Sequence, residues 1–222
     1  MSELGFDAAA FAGEVSAETS KIYERSFKRL CDIALVVCTA PISLPLIAVL
    51  MLITRISGPA LFGHTRIGQN GKEFRCWKIR TMIPNAEDDL MHLLTTNPIA
   101  AYEWARDRKL QQDPRVTRFG KFLRRSSLDE LPQLWNVLMG EMSLVGPRPV
   151  TENELENYSA DKWAYLGRLP GITGLWQVSG RNSVSYDERV ALDVAYSRRL
   201  SFLTDCSILL RTGSAVLRRT GL

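Results

Sequence analysis

Three rhythms of apolar and polar residues divide this chain. From Ile33 to Ile53, 21 residues carry no formal charge, which is long enough to cross the hydrocarbon core of a bilayer. Pro41 and Pro45 fall near the middle of that run. Each removes a backbone donor, which predicts a break there and a helix-break-helix inside the membrane. A two-residue rhythm follows in Ala60–Ile67 and Glu73–Ile79, bounded by the turn signals Ser57-Gly58-Pro59 and Gln69-Asn70-Gly71, and reads as a β-hairpin. Helical spacing takes over after that. Residues 86–112 form a polar helix cut at Asn97-Pro98, Leu128, Leu131, Leu134, Trp135 and Leu138 repeat on one face, and residues 152–168 supply a further amphipathic helix. Near the end, Phe202, Leu203, Ile208, Leu209 and Leu210 stand against Arg211, Arg218 and Arg219, an amphipathic helix that a membrane segment elsewhere in the chain favours as interfacial. The expected fold class is α+β, a small, mainly helical body with one hairpin and an N-terminal membrane segment.

Charge decides how that segment sits. Residues 1–20 hold Glu3, Asp7, Glu14 and Glu18 and no Lys or Arg, which leaves 28 basic against 20 acidic residues in the rest of the chain. The leader lacks a basic n-region and is no secretory signal. It reads as a mobile stretch, followed by a membrane helix over 21–56 and a body over 57–222. A straight crossing would put Lys28 and Arg29 on one side of the bilayer and the basic body on the other, against the tendency of cationic flanks to stay cytoplasmic. A re-entrant segment, entering and leaving by the cytoplasmic leaflet, reconciles the length, the prolines and the charge. The positive body suits anionic headgroups and a diphosphate. It carries no nucleic-acid-binding motif, and nucleic acid is not an expected partner. The four cysteines show no C-x-x-C spacing, so a zinc site has little support, and His64 and His92 are too few for a multi-histidine centre.

Candidate chemistry concentrates in residues 124–149. Ser127-Leu128-Asp129-Glu130 fits a capping box, while Pro132 sits more comfortably if Asp129 is the cap. In either register the carboxylates lie near the positive end of a helix dipole, which favours an ionised Asp129. An ionised aspartate can attack phosphorus and form an acyl phosphate. Capping alone is the competing explanation for the same pair. Arg148, between Pro147 and Pro149, presents a preorganised guanidinium fork for phosphate. Lys78 and Arg80 alternate onto one face of a strand and reach towards phosphate or headgroup. The glycines of PGITG and SGRN either let backbone amides approach a substrate or only make turns.

The stretch SLDELPQLWNVLMGEMSLVGPRP resembles the signature of the bacterial sugar transferases, the monotopic phosphoglycosyl transferases. Phe27-Lys28-Arg29 with Asp32, Arg66-Ile67-Gly68 through Phe74, Lys78-Ile79-Arg80-Thr81-Met82, Asp113-Pro114-Arg115-Val116-Thr117 and PGITGLWQVSGR at 170–181 follow in the family's order. The resemblance covers roughly residues 26 to 215 and leans towards the galactosyl-phosphate transferases that start exopolysaccharide repeat units. It implies transfer of a sugar 1-phosphate from a UDP-sugar, galactose or glucose, to undecaprenyl phosphate at the cytoplasmic face of the bacterial inner membrane, with release of UMP. It further implies Asp129 as nucleophile, Glu130 as its acid/base or positioning partner, Mg²⁺ with Asp129 as protein ligand, and Arg124 as a phosphate contact. Arg148, Lys78 and Arg80 join the phosphate site on the residue reading above, and Pro147, Pro149, Arg181 and Asn182 are carried as pocket residues. The alternatives are a UDP-N-acetylated sugar and a non-catalytic membrane scaffold; a homodimer is left open. Two departures matter. Leu44 stands before Pro45 where relatives carry a serine whose hydroxyl satisfies freed backbone groups, a role open to Ser43 or Thr39. Leu169 separates Arg168 from Pro170, so Arg168 is not carried over.

Overall fold

A computed structural model describes residues 23, 27–107, 110, 112–179 and 185–217. The leader, Arg181 and Asn182 therefore lie outside the described residues. Among the described residues the architecture is mostly helical, with two small two-stranded sheets and one long apolar helix near the N-terminus.

That helix, α1, spans Lys28–Arg55. It is helical through Pro41 and Pro45, which lie inside it, so the two halves expected on either side of these prolines join without an intervening loop. The burial pattern explains why it survives. Asp32, Val36, Ser43, Leu50 and Thr54 are buried, and their spacings of four and seven mark a single stripe along the helix. Val36 packs with Phe74, Cys76, Val137 and Met142, and Leu50 packs with Ile79 and Leu123. The body thus holds the helix on both sides of the prolines, which are both exposed and project from the opposite face. Neither expected substitute repairs the carbonyls freed by the prolines. Thr39 Oγ1 donates to Leu35 O and Val36 O, at 2.8 and 3.1 Å, and buried Ser43 Oγ has no hydrogen-bond partner among the described residues. The rest of the helix surface is apolar and bare, with Val37, Ile42, Leu44, Val49, Leu52 and Ile56 all exposed.

At its N-terminal end α1 is locked by charge. Lys28 Nζ donates to Asp205 Oδ2 at 2.5 Å and to Val145 O at 2.9 Å. The Arg29 guanidinium donates to Val137 O and Leu138 O, carbonyls in the last turn of the helix Gln133–Met139, where a cation complements the dipole. Buried Asp32 accepts from Ser143 Oγ at 2.7 Å and from the Leu144 amide at 3.2 Å.

The hairpin is antiparallel, with β1 (Leu61–Ile67) against β2 (Glu73–Ile79). Asn70 and Gly71, at φ of 58° and 76°, make the turn. One edge of β2 is covered by a side chain. Asn136, fully buried, accepts from the Trp77 amide and donates to Arg75 O, so its amide stands in for a neighbouring strand.

Two helices, α2 (Ala86–Thr96) and α3 (Pro98–Asp107), meet at the expected Asn97-Pro98 break, where Asn97 Oδ1 accepts the amides of Ile99 and Ala100. Then come α4 (Arg118–Ser126), a single 3₁₀ turn at Leu128–Glu130, and α5 (Gln133–Met139), whose last carbonyls are those capped by Arg29. The strand β3 (Ser143–Val145) pairs in parallel with β4 (Gly171–Thr173).

Between those strands the helix expected over 152–168 is in pieces. α6 (Glu152–Leu155) runs into a 3₁₀ stretch in which Ser159 takes φ 46° and ψ −118°, and α7 (Lys162–Leu166) follows. Tyr158 and Tyr165, on either side of that kink, both pack into the core with Ile67, Val150 and Val190. The chain continues with α8 (Leu175–Ser179), α9 (Tyr186–Arg198) and α10 (Phe202–Leu217). α10 buries Ile208 and exposes Phe202, Leu203 and Leu210, the amphipathic character expected of it.

Candidate active site

One face of β2 carries the transition from core to site. Phe74 and Cys76 are buried, and the same alternation brings Lys78, and Arg80 just beyond the strand, onto that face. There the packing opens into a cavity of about 1050 Å³, lined by Lys78, Arg80, Thr81, Arg124, Asp129, Glu130, Arg148, Thr173 and Trp176 among others.

The Asp-Glu pair enters from the short turn after α4. Ser127 has φ 56° and ψ 18°, a left-handed conformation that ends α4. Its side chain makes no capping bond to the next turn. The expected capping box is therefore corrected, because a residue turned to positive φ to end one helix does not direct its hydroxyl as the N-cap of the next. Asp129 lies inside the turn, buried at the cavity floor. The expected dipole stabilisation gives way to desolvation: burial pushes the Asp129 carboxyl above the ordinary carboxylate range, against the pull of Lys78 and Arg124, with Glu130 adding to the rise. A turn of three residues has too few aligned peptides to offset that loss of water.

Glu130 is engaged with cations. Lys78 Nζ stands 2.6 Å from its Oε1, and Arg148 Nη1 stands 3.7 Å away. Arg124 Nε donates to Thr81 Oγ1 at 2.9 Å. Arg80 Nε is buried without a hydrogen-bond partner among the described residues. Lys78, Arg80, Arg124, Arg148, Asp129 and Glu130 are thus brought together around one cavity. Pro147 and Pro149 are not in its lining; they are buried behind it and frame Arg148. Arg168 points elsewhere, donating to Ser197 O.

The glycines of 171 and 174 have a structural role. A Cβ on Gly171 would stand 2.1 Å from Gly146 N, and one on Gly174 would stand 2.2 Å from Gly146 O. These residues let the GPRP segment and the PGITG segment pack backbone to backbone, which is the reason for glycine here beyond any turn. Sequence reasoning missed Thr81 and Trp176 as lining residues. Trp176 adjoins the glycines in the same motif, and that adjacency was the only signal for it.

No group of three or more His, Cys, Asp or Glu side chains converges among the described residues. A dedicated protein cage for a divalent cation is therefore not built there. The donor set suits an ion shared with substrate, one carboxylate from Asp129 with the remaining oxygens from phosphate and water, as Mg²⁺ commonly takes.

A model of the family described as "Bacterial sugar transferase" matches residues 23–219. The chain is 47% identical over 207 residues to the undecaprenyl-phosphate galactose phosphotransferase of Salmonella typhimurium, covering 93% of this chain and 43% of that protein. It is 47% identical over 208 residues to the UDP-galactose-lipid carrier transferase of Erwinia amylovora, 93% of this chain and 44% of the relative. It therefore spans less than half the length of these two. With the exopolysaccharide production protein ExoY of Sinorhizobium fredii it shares 48% identity over 201 residues, 90% of this chain and 88% of the relative. Matched almost from end to end, and with the motif carboxylates and cations gathered around one cavity, the chain belongs to the bacterial sugar transferase family.

Proposed function

We propose that the chain transfers a sugar 1-phosphate from a UDP-sugar to undecaprenyl phosphate, the first membrane step of exopolysaccharide synthesis. The observation that carries this reading is Asp129 buried at the floor of a cavity walled by Lys78, Arg80, Arg124 and Arg148. A cationic wall draws in a diphosphate, and its charge favours the ionised carboxylate once substrate oxygens and Asp129 share it. An Asp129 oxygen attacks the β-phosphorus, the bond to the bridging oxygen breaks, and UMP leaves with that oxygen. A phosphate oxygen of undecaprenyl phosphate then attacks the same phosphorus. The aspartyl bond breaks, the carboxylate is regenerated and the diphosphate-linked lipid departs. Glu130, relieved of Lys78 and Arg148 as these turn to phosphate, becomes available for positioning or proton transfer. Asp129 would hold Mg²⁺ when it is bound, and the ion would supply further neutralisation of diphosphate charge. Galactose or glucose is the favoured sugar, because the Salmonella and Erwinia relatives are named for galactose and a Klebsiella pneumoniae relative, 36% identical, is named for glucose.

The membrane geometry belongs to the same proposal. Because α1 touches one body through both its ends, a re-entrant seat at the cytoplasmic face of the inner membrane suits it better than a straight crossing. Cysteines placed at Ser16 and Thr220, in a background without native thiols, then resist an impermeant thiol reagent in intact cells; labelling of Ser16→Cys alone from outside means a crossing.

The reaction is tested with the full chain in lipid nanodiscs, offered UDP-galactose, UDP-glucose and UDP-N-acetylglucosamine with Mg²⁺ and undecaprenyl phosphate. UMP release is the expected result, and a sugar-phosphate adduct on Asp129 appears by intact mass when acceptor is withheld. Turnover retained in Asp129→Asn refutes the covalent mechanism. No UMP from any donor leaves a membrane scaffold as the better reading.

A further inference from the structure

Trp176, on the cavity wall, is shared by two cations. The Arg189 guanidinium carbon stands 4.3 Å from the centre of its ring, and that of Arg148 stands 5.9 Å from it. The first is a close stack; the second is at the outer reach of a cation–π contact. Arg189 comes from α9 and does not line the cavity. It also stacks at 5.0 Å on Tyr186. Its Nε is buried with no hydrogen-bond partner among the described residues. Of the carboxylates that feel its charge, Asp193 accepts from Tyr158 Oη at 2.7 Å through Oδ2 while its Oδ1 has no hydrogen-bond partner among the described residues, and Glu154 is paired with Arg66 at 2.8 Å. Burying an unpartnered guanidinium nitrogen is costly, and among the described residues the two aromatic faces are the close contacts that offset it.

We propose that Arg189 is a positioning residue for the phosphate site, acting through Trp176. Its stack fixes the indole plane, and the indole plane holds the Arg148 fork towards Glu130 and the incoming diphosphate. Arg148 needs such support because it is about a third exposed and sits 3.7 Å from Glu130, too long for a tight bridge. The inference rests on the cavity being the site of sugar-phosphate transfer.

The test is a double-mutant cycle on the full chain in nanodiscs, reading the KM for UDP-sugar, kcat, and the Kd for UDP alone. Arg189→Met is expected to raise KM and the UDP Kd about tenfold, the scale of a buried cation–π contact, with little change in kcat. Arg189→Lys restores most of the affinity. In an Arg148→Lys background, Arg189→Met changes the UDP Kd less than about twofold, because the fork it served is gone. A tenfold cost that persists in that background, or a fall in kcat alone, overturns the proposal. If Arg189→Met loses its thermal transition, Trp176→Leu is carried through the same cycle with the same criteria. A wild-type chain that binds UDP but transfers no sugar refutes the function while the cycle in Kd still decides the role of Arg189. A wild-type chain that binds no UDP refutes both.

Discussion

The two sides of the cavity are built on opposite principles. Behind it, β3 and β4 pair through short backbone bonds, Gly146, Gly171 and Gly174 let backbone approach backbone closely, and Asp32 takes up Ser143 Oγ and the Leu144 amide. In front, Lys78, Arg80, Arg124 and Arg148 surround Asp129 and Glu130, with a carboxyl pushed up by burial and an Arg80 Nε left without a hydrogen-bond partner among the described residues. The first wall is satisfied and rigid. The second keeps unfulfilled electrostatics, which a diphosphate can complete. The contrast teaches that the front wall owes its strain to the back wall, since a preorganised site costs stability that rigid packing must supply.

The largest way to break that contrast is Asp129→Asn. It is expected to cut turnover by at least about 10³-fold, as loss of a nucleophile does, while the melting temperature in detergent stays level or rises, because a buried charge is gone. A variant that is both active and less stable would place Asp129 on the satisfied side of the comparison. Next is Arg148→Lys. Keeping the charge but losing the fork should cost about 10- to 100-fold in kcat/KM without unfolding, and near-normal kinetics would reduce Arg148 to long-range charge.

On the rigid side, Gly171→Ala should destabilise by about 1–3 kcal/mol, since its Cβ meets backbone that cannot move aside. Gly213→Ala is the control. No atom stands within 4 Å of its Cβ, and alanine in the α10 interior should add about 0.5–1 kcal/mol. Equal melting shifts for the two would mean that the parallel pair is softer than its geometry. The smallest effect is on pH. With its native carboxyl raised, Asp129 ionises only above the ordinary range of about 3.9, so the acid limb of kcat/KM should lie above that value. The sign for stability is opposite. Ionisation is disfavoured in the folded state, so unfolding free energy should fall as pH rises from the ordinary carboxylate pKa through the raised one. The same titration of Asp129→Asn should lack that fall.

How much of this was readable in the sequence differs between the walls. Alternation placed Lys78 and Arg80 on one face, Asn97-Pro98 marked its helix boundary, and the hairpin followed from Asn70-Gly71, because each depends on local geometry alone. The protonation preference of Asp129 did not follow, since burial is set by β2, α1 and α5 together. Nor did the function of Asn136, which looks like any polar residue on a helix until the edge of β2 is beside it. The prolines of α1 were only half legible for the same reason: their local cost was plain, and the long stripe of contacts that offsets it was not.

The clamp at the start of α1 has a consequence for how the protein is made. Lys28 and Asp205 lie 177 positions apart, and Tyr23 reaches the same carboxylate across 182. While the ribosome is still extending the chain, the apolar helix has emerged without its C-terminal partner. Loop closure over such a separation comes late in folding. The nascent helix must therefore find the lipid surface before the body can grip it, and truncation ahead of Asp205 would leave a chain that reaches the membrane with its N-terminal lock open.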